Sequence, residues 1–300
     1  MTLATPTRLS RIPQHTGHGV GDGVGALARR YAAYMNGCDF ASQLRAQRVS
    51  RRQYAAFLSM MYPCVVGFNR ALILSIAKVD HVRHSSFVRA LAEQLHEEQG
   101  HNQMWRGAMD LFGIDHARLY SDFRGYISSM SREELDLRTA GVLDALTADP
   151  ANVSPGFFVG APFPEPVVAI CHFLWSSACA EQVHYWEHFA SQSGIEMVIF
   201  DVVSGTVLPG VVGNRELDLG LASTKWWREH GRLPGDTPGV KSDEEKHLEL
   251  ARIALNRSDS AREHRDAIVR RAEDTMRLFA ATLVAQSSAS LNFPIERYTV

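Results

Sequence analysis

A Glu-x-x-His unit occurs three times in this chain, each time in a segment whose apolar residues recur with helical spacing. Residues three positions apart lie on one face of an α-helix, so each unit directs a carboxylate and an imidazole to the same side. Each unit also interrupts an apolar stripe, and a buried carboxylate is costly unless it is paired, hydrogen-bonded or bound to metal. The units therefore predict helices that enclose a shared cation site. Their members are Glu98 and His101, Glu181 and His184, and Glu244 and His247.

The chemistry of these side chains suits a metal centre with two ions. Carboxylate oxygen combined with imidazole nitrogen is a ligand set for iron or manganese, and helical bundles that hold two metal ions use the Glu-x-x-His unit. The alternative explanation is three separate buried salt bridges or hydrogen-bonded core histidines. Four neighbouring residues are predicted to be substitute ligands or to contact the ligands: Asp243, His230, His188 and Glu187.

The hydrophobic pattern predicts an all-α fold, because strands and helices do not alternate along the chain. The segment 195–220 fits either packed helix or a short strand pair, and Pro63 is expected to kink or break its helix. We expect an N-terminal flexible arm over 1–24 and a single helical domain over 25–290. The predicted helices cover 26–47, 51–79, 85–112, 120–130, 132–146, 165–192, 242–256 and 260–286.

Composition excludes several classes of partner. The formal net charge is −2 and the arginines are scattered, whereas a nucleic-acid surface needs concentrated positive charge.

No uninterrupted apolar run reaches the ~20 residues needed to cross a bilayer. The 4 cysteines form no Cys-x-x-Cys unit and no secretory leader precedes them, so the sequence predicts a cytoplasmic protein.

Three segments together resemble the haem-oxygenase-like diiron oxidases and oxygenases, relatives of the TenA and PqqC folds that bind two irons instead of haem. The segments are "LAEQLHEEQGHNQMWRGAMDLFGI", "CAEQVHYWEHF" and "WWREHGRLPGDTPGVKSDEEKHLELARIAL". The first matches that family's first ligand helix through Glu98 and His101, and the second matches its middle helix through Glu181. In the third, Glu244 or Asp243 matches the carboxylate.

His247 matches the second histidine of that family's last ligand helix, but the first histidine has no counterpart one turn earlier. The resemblance therefore leaves open whether His230 or His184 supplies it. It implies a haem-oxygenase-like helical bundle that binds two iron ions, or iron and manganese, takes O2 as co-substrate and receives electrons from an external donor.

The resemblance also implies a choice among reactions on a small-molecule substrate. The polar residues expected on inward faces favour a polar substrate, and therefore N-oxygenation of an amino acid or amine in specialised-metabolite biosynthesis. The alternative is cleavage or desaturation of a fatty acid or amino acid, which for a fatty acid needs a channel lined by apolar side chains. The inward polar residues are Gln94, Asn69, His172, Tyr185 and His188.

Three further classes stay open at this point. A metal-free TenA-like hydrolase would use Cys171 or Cys179 as nucleophile, a haem protein would need a proximal histidine beside an apolar slot, and a helical scaffold would have no catalytic site. Trp226 and Trp227 suit either a core or a homodimer interface.

Overall fold

The computed structural model describes residues 19–148, 161–232 and 243–300, and these residues form α-helices and connecting turns. The helices are α1 (Val20–Gly37), α2 (Asp39–Arg45), α3 (Arg51–Lys78), α4 (Ser85–Asp110), α5 (His116–Ser128), α6 (Arg132–Ala148), α7 (Glu165–Cys179), α8 (Tyr185–Val202), α9 (Leu208–Val211), α10 (Leu221–Glu229), α11 (Asp243–Arg257), α12 (Asp259–Glu263), α13 (Arg265–Val284) and α14 (Gln286–Asn292). A π-helical turn, Val203–Val207, joins α8 to α9, and a 3-10 turn, Ile295–Arg297, lies near the C-terminus. The all-α prediction is confirmed.

The long helices pack around one apolar core. Helix α8 packs against α13 and α1, while α3 packs against α7 and α4. Helix α6 covers α7, and the short helix α10 lies on α4. This arrangement places α3, α4, α7, α8, α10 and α13 around one interior region, and all six contribute side chains to a cavity there.

Helix α3 continues through Pro63, although the missing N–H and the ring of proline favour a break. Its N-terminus is a capping box in which the Ser50 side chain accepts from the Gln53 backbone N–H and the Gln53 side chain accepts from the Ser50 N–H. This arrangement satisfies two backbone donors that a helix start otherwise leaves unpaired. Buried residues on either side of the proline hold the helix in the core.

The predicted helix over 165–192 is wrong, because the structure divides it into α7 and α8 with a turn between them. The ammonium group of Lys78 donates to the carbonyl oxygens of Ser177, Ala180 and Val183, at 3.1, 2.6 and 3.4 Å. These contacts satisfy carbonyls that the end of α7 leaves without intrahelical partners. A lysine more than ninety positions away in sequence therefore stabilises the break.

Other expectations about the elements have mixed outcomes. The segment 195–220 is helical in its first half, and α1 begins at Val20, before the predicted start at residue 26. Residues 1–18 of the predicted N-terminal arm lie outside the described residues. Gly113 ends the α4 segment with a φ of 65°, a conformation that glycine adopts easily.

Two helical segments are long and apolar enough to span a bilayer, namely Arg51–Lys78 and Tyr185–Val211. Their most apolar windows are 72% and 67% buried inside the protein. This burial is typical of core helices, which pass the same length and composition test. The two segments therefore give weak evidence for membrane insertion.

Close approach of α1 and α11 depends on a glycine. A Cβ atom at Gly21 would lie 2.4 Å from the carbonyl oxygen of Arg252 and 2.9 Å from its Cα, whereas at Gly23 it would meet only Val269 Cγ2 at 3.8 Å. We expect Gly21→Ala to lower the free energy of unfolding by about 2 kcal/mol, because the helices must separate. Gly23→Ala should raise it by about 0.5 kcal/mol, because alanine favours the helix. Urea denaturation measures both, and equal effects would contradict this account of the packing.

Candidate metal centre

Helix α4 places Glu98 and His101 on one face, as their spacing predicts. Glu98 is 9% exposed, and its Oε1 lies 3.1 Å from Nδ1 of His101. Nε2 of His101 lies 3.8 Å from Oε2 of Glu229 in α10. The His101 imidazole therefore lies between two carboxylates, one from each of the packed helices.

His230 joins this pair from the residue that follows α10. Its ring centroid lies 4.1 Å from that of His101, and Trp226 stacks on its other side with centroids 3.8 Å apart. One potential ligand atom from each of Glu98, His101 and His230 lies within 4.8 Å of the other two. These three residues come from two helical segments that are far apart in sequence, and they form a group of the size a cation needs.

The environment of His230 suits a metal ligand. Nδ1 donates to the carbonyl oxygen of Trp226 at 2.8 Å, which leaves Nε2 with its lone pair. Burial, and then the nearby His101, lower the pKa of His230 well below its ordinary value, so the imidazole is neutral at pH 7. Metal-bound histidines usually donate their other ring N–H to a carbonyl or carboxylate in this way. The donor set of one carboxylate and two imidazoles therefore fits iron or manganese.

Glu196 is a further acidic residue at this centre, and the sequence analysis missed it. It lies in α8, is buried, and accepts a short hydrogen bond from the side-chain amide of Gln94. Gln94 lies one turn before Glu98 on α4, so the contact brings Glu196 to the same side of that helix. The signal was present in "GIEMVIF", where one carboxylate interrupts a continuous apolar run.

A cavity of about 90 Å³ opens beside this centre. Its acidic and basic lining consists of Glu98, Glu196 and His230, and the remaining described lining is apolar or weakly polar. Apart from those three, the lining residues are Met35, Phe57, Met61, Cys64, Val65, Phe68, Trp105, Ile170, Leu174, Ile195, Ile199, Val202, Val203, Val207, Trp226, Trp227, Phe279 and Leu283. The cavity can exclude water from the Glu98 side chain and from a small apolar molecule held beside it.

The structure does not place Glu181 and His184 at this centre. Glu181 is exposed in the turn between α7 and α8, so the expectation that it points inward from a helix is wrong. The His184 side chain caps α8 by accepting from the Trp186 N–H at 3.2 Å, and its ring stacks on His264 at 4.5 Å. The break at the end of α7 removes both residues from the helical register that the sequence suggested.

Two of the four neighbouring residues also have structural roles away from the centre. Glu187 completes the α8 cap by accepting from the His184 N–H, and it pairs with Arg271 at 3.3 Å. Nε2 of His188 contacts the carbonyl oxygen of Ala71 at 3.1 Å. Neither residue lines the cavity, whereas His230, named with them, lies within the centre.

The residues that favoured a polar substrate are not among the described residues that line this cavity, so their positions give no support for a polar substrate here. Asn69 donates to the Glu98 carbonyl, and Gln94 contacts Glu196. His172 contacts Asp136, Tyr185 contacts His84, and His188 contacts Ala71. Each of these polar groups is hydrogen-bonded elsewhere and leaves the cavity wall to apolar side chains.

The third Glu-x-x-His pair falls partly outside the described structure. Helix α11 begins at Asp243, but the side chains of Asp243, Glu244 and His247 lie outside the described residues. Arg232 forms an ion pair with Glu245. This contact brings the first turn of α11 close to the segment that carries His230.

Trp226 and Trp227, which suited either a core or a homodimer interface, are buried in the core. They are 7% and 4% exposed, and Trp105 packs on both with ring centroids 4.9 and 5.1 Å away. Nε1 of Trp227 donates to the Tyr54 hydroxyl at 2.7 Å. The tryptophans therefore belong to the core and form one wall of the centre.

Comparison with known proteins identifies the fold. A domain of unknown function with a heme oxygenase-like fold from Shewanella denitrificans OS217 superimposes with a TM-score of 0.60 at 14% identity, over 95% of this chain and 100% of that one. A TenA homolog from Pseudomonas syringae pv. tomato str. DC3000 gives a TM-score of 0.54 at 14% identity, over 94% and 100% of the two chains. No protein-family model and no curated protein matches the sequence.

Proposed function

We propose that this chain, which has the haem-oxygenase-like fold, is an O2-dependent metalloenzyme that oxidises a small, largely apolar molecule. The observation that carries the proposal is the convergence of Glu98, His101 and His230, of which Glu98 and His230 line an apolar cavity. Three convergent ligands beside a water-excluding cavity form an arrangement in which a redox metal can act on a bound substrate.

The proposal includes two iron ions, or iron with manganese. Glu98, His101 and His230 would hold the first ion. Glu196, which is buried in α8 and accepts from Gln94 on the Glu98 face of α4, would contribute to the second ion. When bound, the metal ions would supply the electrons and Lewis acidity that O2 reduction requires. An external donor would return those electrons to the metal ions.

The residues of this chain would prepare the reaction in three ways. The Trp226 carbonyl orients His230 so that Nε2 carries the lone pair. The amide of Gln94 donates to the Glu196 side chain and fixes its position in an apolar region. Phe57, Trp105 and the other apolar lining residues exclude water and hold the substrate by burying its surface.

An apolar substrate is favoured over an amino acid by the composition of the cavity wall. An amino acid needs fixed partners for both its charges, and the described lining has carboxylates but no Arg or Lys side chain. A short apolar molecule, or the end of an alkyl chain, has no such requirement. The proposal therefore prefers fatty-acid-type oxidation to N-oxygenation.

The metal-free hydrolase has less support from the cysteines that the sequence suggested. Burial, together with neighbouring Cys64, raises the pKa of the Cys171 thiol well above its ordinary value, which lowers the fraction of nucleophilic thiolate. Cys179 is exposed and does not line the cavity. Cys64 does line it, so full activity of Cys64→Ser without added metal would count against a thiol nucleophile at this cavity.

Oxygen uptake by the iron-loaded protein tests the substrate class. We expect straight-chain fatty acids and alkyl amines to accelerate uptake more than amino acids do. Ile199→Trp, which fills the cavity, should abolish most of this acceleration, whereas Ile73→Trp, on an exposed part of α3, should not. Acceleration by amino acids that Ile199→Trp leaves intact would overturn the apolar assignment.

A further inference from the structure

A second cavity of about 280 Å³ lies between α6, α7, α13 and the turn that follows α7. Unlike the first cavity it has a mixed lining with several charged groups. Its polar and charged lining residues include Arg132, Asp136, Thr139, His172, Ser177 and Arg271.

Helix α7 separates the two cavities and presents a different face to each. Ile170 and Leu174 line the apolar cavity, whereas His172 and Ser177 line the polar one. His172 is 8% exposed and Ser177 3% exposed. Polar side chains buried between packed helices cost free energy that apolar residues would not, so their presence around an open volume suggests a polar ligand.

Arg271 is held in a fixed orientation at the wall of this cavity. Its Nη1 donates to Ser177 Oγ at 2.9 Å and its Nε to Glu187 Oε2 at 3.3 Å, while the guanidinium lies 5.2 Å from the ring centre of Phe173. Among the described residues, none accepts a hydrogen bond from Nη2. A planar guanidinium fixed in this way loses little entropy when it binds an oxyanion.

His172 is a second polar side chain with a fixed orientation, and toward a ligand its ring is an acceptor because its Nε2–H already donates to Asp136. Its Nε2 lies 2.7 Å from Oδ1 of Asp136, which fixes the ring, and within the described parts of the chain Nδ1 makes no hydrogen bond. Arg132 Nε lies 3.8 Å from the other Asp136 oxygen, and its side chain is 72% exposed. Asp136 thus keeps its hydrogen bond from His172 when the exposed side chain of Arg132 turns toward a ligand.

The charged groups around this cavity include more cations than carboxylates. Arg132 and Arg271 face Asp136 and Glu187, and the ammonium of Lys78 lies behind the wall on the carbonyls of Ser177 and Ala180. Three cationic groups therefore surround two carboxylates, each of which is already paired. An added anion would gain charge-assisted hydrogen bonds here.

We propose that this cavity is a binding site for a small molecule that carries a carboxylate or phosphate group, received by the guanidinium of Arg271 and enclosed by Arg132. The site is separate from the metal centre, and its occupancy does not depend on the proposed oxidation. Because α7 forms a wall of both cavities, a ligand here would also contact the helix that supports Ile170 and Leu174.

The test is titration of the metal-free full-length protein with sodium phosphate and with sodium acetate, at constant ionic strength, followed by NMR and calorimetry. We expect saturable binding of at least one anion, weakened about tenfold by Arg271→Gln, which removes a charge-assisted contact. Preference between the two anions identifies which group the natural ligand carries.

Arg132→Gln and Arg83→Gln are a matched pair, because both arginines are exposed and each pairs with an aspartate on its own turn. Arg132→Gln should weaken binding and Arg83→Gln should not. Arg271→Lys keeps the positive charge but lacks the planar guanidinium, so it should also bind the anion less tightly and keeps the proposal testable if Arg271→Gln unfolds. Absence of saturable binding, or equal binding by all variants, would overturn the proposal.

Discussion

Replacing His230 by alanine is expected to weaken binding of Co(II), a spectroscopic substitute for iron, by more than about 100-fold. Loss of a group that only orients a metal ligand lowers metal affinity about 10- to 100-fold, and loss of the ligand itself should lower it further. His230 contributes one of three ligand atoms that lie within 4.8 Å of one another. Its removal leaves Glu98 and His101, which come from a single helix. Visible absorption of bound Co(II) during titration measures the affinity.

Two sets of controls separate this effect from a general loss of structure. Glu98→Gln keeps the size of the side chain and should weaken Co(II) binding to a similar extent. Glu181→Gln and His184→Gln should leave it unchanged, since Glu181 is exposed in a turn and His184 caps α8. Equal Co(II) affinity in His230→Ala and the parent protein would show that the cluster is not the metal site.

Acidification is expected to destabilise the metal-free protein by up to about 3 kcal/mol through His188 alone, at 1.36 kcal/mol per pKa unit. His188 is fully buried, and burial lowers its pKa from 6.5 to about 4, with Lys78 and Arg271 acting in the same direction. Nε2 contacts the Ala71 carbonyl, and Nδ1 has no partner among the described residues. A proton on Nδ1 would therefore be buried with no acceptor that the structure shows.

Acid destabilises the folded protein because His188 binds its proton more readily in the unfolded chain. The unfolded chain binds this proton below about pH 6.5, whereas the folded protein binds it only near the lowered pKa of about 4. The stabilisation is therefore complete above the unfolded-state pKa and declines as the pH falls between these two values. His184 and His230, whose pKa values burial also lowers, add to the decline. Asp201 and Asp274, whose pKa values burial raises, oppose it.

Urea denaturation at a series of pH values tests this prediction. His188→Gln retains an amide donor for the Ala71 carbonyl and cannot titrate, so its free energy of unfolding should fall less steeply with acid than that of the parent protein. His96→Gln, at an exposed position on α4, should match the parent slope. Parallel curves for His188→Gln and the parent would contradict the assignment.

Much of the fold follows from hydrophobic periodicity, because long amphipathic stripes determine which faces must be buried. The same reasoning located Glu98 and His101 on one face of α4. It failed at Glu181, since "ACAEQVH" contains no glycine or proline and the turn there is stabilised by Lys78 from a distant helix. Contacts of this kind depend on tertiary packing and leave no local pattern.

His230 and Glu196 differ in whether the sequence alone could have placed them at the centre. His230 precedes a turn-rich segment, so its distance from His101 depends on how α10 packs on α4 and cannot be derived from spacing. Glu196 could have been identified, because a lone carboxylate in an apolar helix needs a partner. The inward polar residues gave no guide to the cavity wall, because a buried polar residue such as Asn69 contacts a backbone carbonyl instead.

Iron binding under anaerobic conditions tests the central claim most directly. Metal-free protein would be mixed with excess 57Fe(II), passed through a desalting column, and analysed for iron content and Mössbauer spectrum, beside the His230→Ala variant. The proposed function predicts that the parent protein retains iron with oxygen and nitrogen ligands and that the variant retains far less. Absence of retained iron in the parent protein, or equal iron in both, would contradict a metal centre at Glu98, His101 and His230.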